Sequence, residues 1–291
     1  MIRKDSKIVV TGVKGQLGYD CVRELNSRGY ENVVGIDIED LDITDEAAVH
    51  AFIEKEKPAA IMHNAAWTAV DKAEEFKEKV YAVNCLGPKY LAEAAEKVGA
   101  SMIYISTDYV FPGTGEKPYE PTDPTGPKST YGRTKLQGED FVRAALPRHF
   151  VVRISWAFGK NGNNFVRTML RLAETHDQLT VVGDQIGSPT YTRDLARLLV
   201  DMLETDKYGT YHATNEGFVS WAGFAKKIFE LTGKDVVVHP VTTEEYKKIN
   251  PAQTDRPLNS RMSKKCLLDA GFKPLPSWED ALIRYLKEMD I

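Results

Sequence analysis

The chain has 291 residues, of which 42% are hydrophobic and 27% charged, and its formal net charge is −4. That is the composition of a globular protein of one large or two modest domains, and the charge balance argues against nucleic acid or an anionic membrane as partner. The segment before Ile8 lacks a signal-peptide pattern and no apolar run is long enough to span a bilayer, so a cytoplasmic protein is expected.

In chain order, Lys7–Thr11 predicts a short strand that ends at Gly12. Gln16–Arg28 predicts a helix, with Leu17, Cys21, Val22 and Leu25 at helical spacing and Gly29 as its stop. Asn32–Asp37 reads as a second strand. Thr44 is placed to cap a helix over Asp45–Lys57, with acids in the first turn and Pro58 beyond the end. Ala60–His63 is a third strand. Glu78–Val98 follows as a long helix, and Gly87-Pro88 predicts a kink in it. Ser101–Ser106 and Phe150–Ile154 read as the fourth and fifth strands, on either side of a helix over Tyr131–Leu146. Strands separated by helices imply right-handed crossovers and a parallel sheet covered on both faces. The expected fold is therefore α/β, a Rossmann-type doubly wound parallel sheet, with a smaller C-terminal α/β substrate lobe.

The stretch 112–130 holds five prolines and three glycines directly before the Tyr131 helix. Long loops of this kind in compact domains usually carry function. Beyond Ile154 the alternation fails. Asn161–Asn164 is turn-like, Gly183–Thr192 reads as a loop, and Phe165–Glu174, Arg193–Glu204, Ser220–Leu231 and Trp278–Met289 read as helices. Residues 1–155 are taken as the dinucleotide-binding domain and 156–291 as mainly a substrate lobe, with segments near 190–215 returning to the first. The three cysteines, Cys21, Cys85 and Cys266, are far apart and suit reduced thiols.

Gly12, Gly15 and Gly18 follow a strand and open a helix, the context in which glycines let backbone amides approach a pyrophosphate. Gln16 and Leu17 belong to the same turn. Asp37, 19 residues after Gly18, is placed to bond the adenosine ribose hydroxyls, while Lys14 could pair with a 2′-phosphate, so NADH and NADPH both remain open. Asp42 and Ile43 are placed to line the adenine. Asn64, Ala65 and Ala66 follow the third strand, where small residues let a cofactor pass; a plain structural turn is the alternative. Tyr131 and Lys135 stand four residues apart and share one helix face. An ammonium beside a phenol favours the phenolate, which would bring Tyr131 closer to the working pH. Such a pair also occurs on solvated helices. Thr107, at the end of the fourth strand beside Ser106, should face the same crevice and hold a substrate oxygen.

The glycine turn, Asn64-Ala65-Ala66, Ser106-Thr107 and Tyr131/Lys135, in that order, resemble the extended short-chain dehydrogenase/reductase superfamily. The strings Ala65–Glu74, Ser106–Phe111 and Val182–Thr190, with Arg256-Pro257 and Ser260, resemble the dTDP-4-dehydrorhamnose reductase family within it. The resemblance implies reduction of the C4 ketone of dTDP-6-deoxy-L-lyxo-4-hexulose to dTDP-L-rhamnose with NADPH or NADH. It assigns Thr107 to orient the C4 oxygen, Tyr131 to donate the proton, and Lys135 to tune Tyr131 and bind the nicotinamide ribose. Dehydratases of the superfamily carry Asp-Glu after the hydroxyl residue; here Asp108-Tyr109 follow Thr107. Substrate contacts are expected from Thr68, Val70, Asp71, Thr107, Tyr109, Trp156, Asp184, Gln185 and Thr190. Trp156 has a core aromatic as its alternative, and Arg256 reads either as a pyrophosphate fork or as a surface ion pair. Some members of the family bind magnesium at a dimer contact. Asp20 stands at one such position, but no further ligand can be placed and the six histidines show no ligand spacing, so no metal is expected; a homodimer fits the resemblance. The alternatives are another nucleotide-sugar reductase or epimerase, or a non-catalytic regulatory subunit on the same fold.

Overall fold

In the computed structural model, which describes residues 2–291, strand and helix alternate through the first half. The order is β1 (Lys7–Thr11), α1 (Gln16–Ser27), β2 (Asn32–Ile36), α2 (Glu46–Glu56), β3 (Ala60–His63), α3 (Val70–Ala73), α4 (Lys77–Tyr81), α5 (Gly87–Val98), β4 (Ser101–Thr107), α6 (Thr130–Ala145) and β5 (His149–Ile154). The second half carries β6 (Ala157–Phe158), α7 (Phe165–Leu172), β7 (Gln178–Val182), β8 (Ile186–Gly187), β9 (Thr190–Tyr191), α8 (Thr192–Leu203), β10 (Gly209–His212) and β11 (Val219–Ser220). It ends with α9 (Trp221–Thr232), β12 (Val237–Val241), α10 (Thr243–Ile249), α11 (Lys265–Asp269) and α12 (Trp278–Glu288).

Six strands form one parallel sheet in the order β10-β5-β4-β3-β1-β2. β1, β3 and β4 are almost wholly buried, because helices cover both faces. On one face α1 and α8 pack through Leu17, Cys21, Leu25, Leu195 and Leu199. On the other, α2, α5 and α6 pack through Val49, Ile53, Leu91, Ala95 and Val142. The doubly wound parallel sheet expected from the alternation is the fold observed. A separate core of aromatics, Phe158, Tyr191, Phe224, Trp278 and Tyr285, unites α7, α9, α12 and the short strands of the C-terminal lobe. Segment 192–212 returns to the sheet, since α8 lies on α1 and β10 adds the sixth strand beside β5. The expected kinds of element are present, and several details differ. Asp45 caps α2, its Oδ1 accepting from the Ala48 N–H at 3.0 Å, whereas Thr44 is spent on Asp42, donating from N and Oγ1 at 2.9 and 2.7 Å. The helix expected over Glu78–Val98 is widened into a π turn at Ala82–Leu86. Pro88 then falls in the first turn of α5, where its missing N–H costs nothing. The expected loop at Gly183–Thr192 contains β8 and β9, and Thr192 already begins α8.

Helix α6 is fixed at both ends of its first turn. Ser129 Oγ accepts from the Gly132 N–H at 3.1 Å, and Thr130 donates from N and Oγ1 to the two oxygens of Glu74, each at 2.6 Å. Further along, Gly138 lets α6 settle onto β4 and the π turn. A β-carbon there would fall on the Asn84 carbonyl and the Tyr104 hydroxyl. Alanine is ordinarily worth about 1 kcal/mol over glycine within a helix, but overpacking costs about 1–3 kcal/mol, and backbone and phenol cannot both retreat. Gly138→Ala is therefore expected to destabilise the protein by about 1–2 kcal/mol in urea unfolding. Parental stability would show that α6 can lift off β4 freely.

Candidate active site

Strand order reverses between β1 and β3, and in open α/β sheets the crevice beyond the strand carboxyl ends at such a point takes the ligand. Here it is a cleft of about 760 Å³. The turn after β1 forms its floor. Gly12 has φ +69°, and a β-carbon on it would stand 2.9 Å from the Ala65 nitrogen, so only glycine admits this approach of the two strand ends. Gly18 is packed just as closely against Gly12. Helix α1 begins at Gly15 with no side-chain cap and no acid in its first turn, which leaves its N–H groups open to an anion. Thr11 locks the two strand ends together. Its Oγ1 accepts from the N–H groups of Asn64 and Ala65, each at 3.1 Å, and lies 2.8 Å from His63 Nδ1. With both lone pairs used, the hydroxyl donates to His63. Burial drives His63 down to about 3, helped by Lys135, so its ring is neutral and accepts at Nδ1. Asp37, just past β2, accepts from the Lys14 N–H at 2.9 Å, and Lys14 Nζ pairs with Glu39 at 2.8 Å.

The opposite wall is chemical. Thr107 ends β4, and Tyr131 and Lys135 come from α6; all three line the cleft. The Tyr109 ring meets Tyr131 edge to face at 5.4 Å. Lys135 is buried, with Nζ 4.1 Å from the centre of the Tyr104 ring. Burial pulls Lys135 down to about 7, and the Glu139 carboxylate acts against that fall. Burial likewise pushes the Tyr131 phenol well above its ordinary value, and the Thr107 hydroxyl works in the opposite direction. The sequence reading had Lys135 lowering Tyr131. Desolvation decides the balance instead, and the phenol holds its proton at neutral pH. Burial raises Asp108 to about 6, while the hydroxyls of Ser260 and Thr107 bond to it and hold it down.

Every residue expected at the cofactor lines the cleft: Gly12, Gly15, Gln16, Leu17, Asp37, Asp42, Ile43, Asn64, Ala65, Ala66, Tyr131 and Lys135. Of the expected substrate contacts, Thr68, Val70, Thr107, Tyr109 and Trp156 do so too. Four others do not. Asp71 is held by Arg256, whose Nη2 lies at 2.7 Å and whose Nη1 donates to the Tyr109 hydroxyl at 3.1 Å. Asp184 accepts from N and Oγ1 of Thr243 at the start of α10, and Gln185 donates to the same hydroxyl. Thr190 is fully buried between β6 and α8. Trp221 was missed: it lines the cleft and stacks on Trp156 at 3.7 Å. Trp156 itself has φ +51°, an unusual conformation for an aromatic residue, and it presses on Gly187, where a β-carbon would come within 2.9 Å of its ring. The only signal for Trp221 in the sequence was its place in the first turn of an amphipathic helix.

Asp20 is buried and accepts from Thr192 Oγ1 at 2.5 Å. Near it, Arg23 and Arg193 both pair with Glu288, while Asp20 has no guanidinium partner and its Oδ1 is buried without a hydrogen bond. Glu46, His50 and Glu93, where α2 packs on α5 away from the cleft, bring three ligand-type atoms within 4.8 Å of one another, although the histidines show no ligand-like spacing along the chain. Lys89 stands 3.8 Å from that Glu93. No helix among the described residues is long and apolar enough to cross a membrane.

The RmlD substrate binding domain family matches residues 6–291. The spore coat polysaccharide biosynthesis protein SpsK of Bacillus subtilis is 41% identical, over 97% of this chain and 98% of its own. The crystal structure of a dTDP-4-dehydrorhamnose reductase from Clostridium acetobutylicum is similar with TM-score 0.94 and 44% identity, over 98% of this chain and 100% of the other. That of the dTDP-4-dehydrorhamnose reductase from Bacillus anthracis, in complex with NADP, gives 0.93 and 41%, over 98% and 99%.

The Thr11 hydroxyl is the joint of this cleft, and its removal can be read without any ligand. Thr11→Val keeps the shape but orphans two backbone N–H groups and His63 Nδ1. A loss of about 2 kcal/mol or more in chemical denaturation is expected, since each orphaned buried group costs about 1–3 kcal/mol. A loss below about 0.5 kcal/mol, the low end for one net hydrogen bond, would show that these bonds are not formed in solution.

Proposed function

The chain belongs to the dTDP-4-dehydrorhamnose reductase family, and from that premise we propose that it reduces the C4 ketone of dTDP-6-deoxy-L-lyxo-4-hexulose to dTDP-L-rhamnose with NADPH or NADH as reductant. The observation that carries the reading is the placement of Thr107, Tyr131 and Lys135 on one wall of a single cleft whose floor is the glycine turn.

The residues of the floor fit a dinucleotide. Gly12 and Gly18 leave space that a β-carbon would fill, and the uncapped N-terminus of α1 offers N–H groups to the pyrophosphate. Asp37 and Asp42 stand by for the adenosine. Asp37 can meet a ribose 2′-hydroxyl, and Lys14, exchanging Glu39 for a phosphate, can meet NADPH, so the reductant is NADH or NADPH. When bound, the reduced nicotinamide supplies hydride to C4 of the sugar.

The protein's part is the proton and the geometry. The Thr107 hydroxyl, turning its proton from Asp108 to the substrate, orients the C4 carbonyl oxygen. Tyr131, kept protonated by burial, gives its proton to that oxygen as the hydride arrives, so the ketone becomes an alcohol and the phenol a phenolate. Lys135, one helical turn along on the same face, holds the nicotinamide ribose and stabilises that phenolate. A desolvated wall makes this attraction stronger than it would be in water. Trp156 and Trp221 close the sugar end of the cleft, with Thr68 and Val70 on the β3 side. The small-molecule partner is a nucleotide sugar, and the negative net charge gives no footing to nucleic acid.

Cofactor absorbance with the keto sugar generated in situ is the test. Loss of absorbance with formation of dTDP-L-rhamnose, for both NADH and NADPH, is the expected result. Tyr131→Phe should lose about 10²–10⁴-fold in turnover, the usual worth of a positioned acid, and still bind cofactor. Full turnover in that variant would remove Tyr131 from the mechanism. No oxidation of either reductant by folded protein would point to another nucleotide sugar or to a non-catalytic subunit.

A further inference from the structure

Behind the catalytic wall lies an ion cluster that the reaction as described does not use. Glu139 stands one helical turn beyond Lys135 on α6 and is 0% exposed. Arg153, from β5, grips it with two bonds: Nε lies 2.8 Å from Oε1 and Nη2 lies 2.7 Å from Oε2. Arg143, a further turn along α6, adds Nη2 at 2.5 Å from the same Oε2. Arg153 Nη1 donates to the Pro121 carbonyl at 3.1 Å, and its guanidinium lies 4.9 Å from the centre of the Phe111 ring. One cation thus fixes Glu139 and also pins the proline-rich loop that leads into Tyr131.

Stability alone is a poor reason for such a pair. Two charges taken from water regain little more than they lose, and apolar replacements are often neutral or better. Position gives a better reason, because residues four apart on a helix share a face. We propose that Glu139 is a positioning residue for the reduction: clamped by Arg153, its carboxylate is the counter-charge that seats the Lys135 ammonium in the cofactor cleft. The inference rests on the reading of Lys135 as a cofactor contact.

The other groups around Lys135 do not supply that charge. On its own helix, Tyr131 is a neutral phenol and Arg143 a cation. Tyr104, on β4, offers its ring face, 4.1 Å from Nζ. His63, on β3, and His212, on β10, are driven down to about 3 by burial and are neutral. Arg153, on β5, is a second cation. Asp108, beyond Thr107, is engaged by Ser260 and Thr107. The Glu139 carboxylate raises the proton affinity of Lys135, and burial lowers it. Glu139 itself stays ionised because its two arginines overcome its own burial.

The sign of each perturbation follows. Removing the charge of Glu139 takes an anion from Lys135, so the ammonium is lost at lower pH. Removing Arg143 takes a cation away and leaves the Glu139 charge less shared, so the ammonium survives to higher pH. The readout is NADH affinity against pH, by quenching of protein fluorescence and with no sugar present, followed by kcat/KM for the keto sugar against pH. In the parent, affinity should fall as Lys135 titrates near 7. Glu139→Gln should move that limb to lower pH, because the anion that favours the ammonium is gone. Arg143→Gln should move it up. Opposed displacements support the inference; a purely structural carboxylate would give lower thermal stability in both variants with the limb unmoved, and that result overturns it. Glu139→Gln leaves Arg153 buried without its counter-charge and can fail to fold. Arg143 is partly exposed, and in that case its variant decides alone: an upward displacement supports, no displacement overturns. If the parent shows no limb and Lys135→Ala binds NADH as the parent does, it is the reading of Lys135 that fails, and the inference falls with it.

Discussion

Where the strand order turns round, between β1 and β3, one hydroxyl joins the two strand ends. Thr11 receives the N–H groups of Asn64 and Ala65 and donates to a neutral His63. The joint is possible only because Gly12, next in the chain, can take φ +69° with the Ala65 nitrogen against the face where a β-carbon would stand. From this single approach follow the direction of α1, the exposure of its first N–H groups, and the depth of the cleft at the point where a pyrophosphate would lie. Asn64, Ala65 and Ala66 line the cleft because the joint draws them there, not through any chemistry of their own side chains.

The catalytic wall obeys a different constraint, the cost of charge in a desolvated place. Burial pushes Tyr131 up and Lys135 down, so each group is pressed toward its neutral form. For a phenol proposed as proton donor, this is the useful direction. For an ammonium proposed to hold a ribose, it is the wrong one. A proton donor can therefore be left to burial, whereas the lysine requires compensation from the protein. Helix α6 carries both residues, and its first turn is held by Ser129 and by the Glu74 clamp on Thr130. The same helix carries Glu139 one turn beyond Lys135, so all three side chains ride on one rigid body.

How much of this could be read from the chain depends on the range of the interaction. Buried strands and long helices announce themselves through local periodicity, and β1 to β5 and α1 lie close to where the pattern puts them. The glycine turn was legible because glycine spacing between a strand and a helix has one common use. The short strands β7, β10 and β12 were not: each has four or five residues, with partners dozens of positions away, and β12 contains a proline that only an edge strand accepts. Caps failed for a subtler reason. Thr44 and Asp45 are both good capping residues, and the choice between them fell to Asp42, which took the Thr44 hydroxyl for its own turn. Within the site, family strings brought Asp184, Gln185 and Thr190 forward as substrate contacts, yet a string has no direction. Thr243, 59 residues beyond Asp184, satisfies that carboxylate, which does not line the cleft. Trp221 shows the reverse case, a residue without a motif that the return of the chain lays on Trp156.

That stacked pair bears on how the lobe selects a substrate. Trp156 sits in a left-handed conformation that a bulky residue adopts only under compulsion. The compulsion is visible on both sides of its ring: Trp221 on one face at 3.7 Å, and Gly187, whose missing β-carbon leaves the ring its room. Neither neighbour belongs to the dinucleotide-binding half of the chain; one comes from the start of α9 and the other from β8, which β11 pairs to α9's first residues. The lobe thus holds an aromatic surface at the sugar end of the cleft in advance of any ligand, and the conformational cost is met by folding rather than at binding. With its faces covered, the pair offers a rigid and largely apolar edge, which favours a deoxygenated sugar over a fully hydroxylated one because it has no partner for a hydroxyl pressed against it. Selection for a 6-deoxy sugar can then come from the lobe, while the hydroxyl of Thr107 and the phenol of Tyr131 respond only to the ketone.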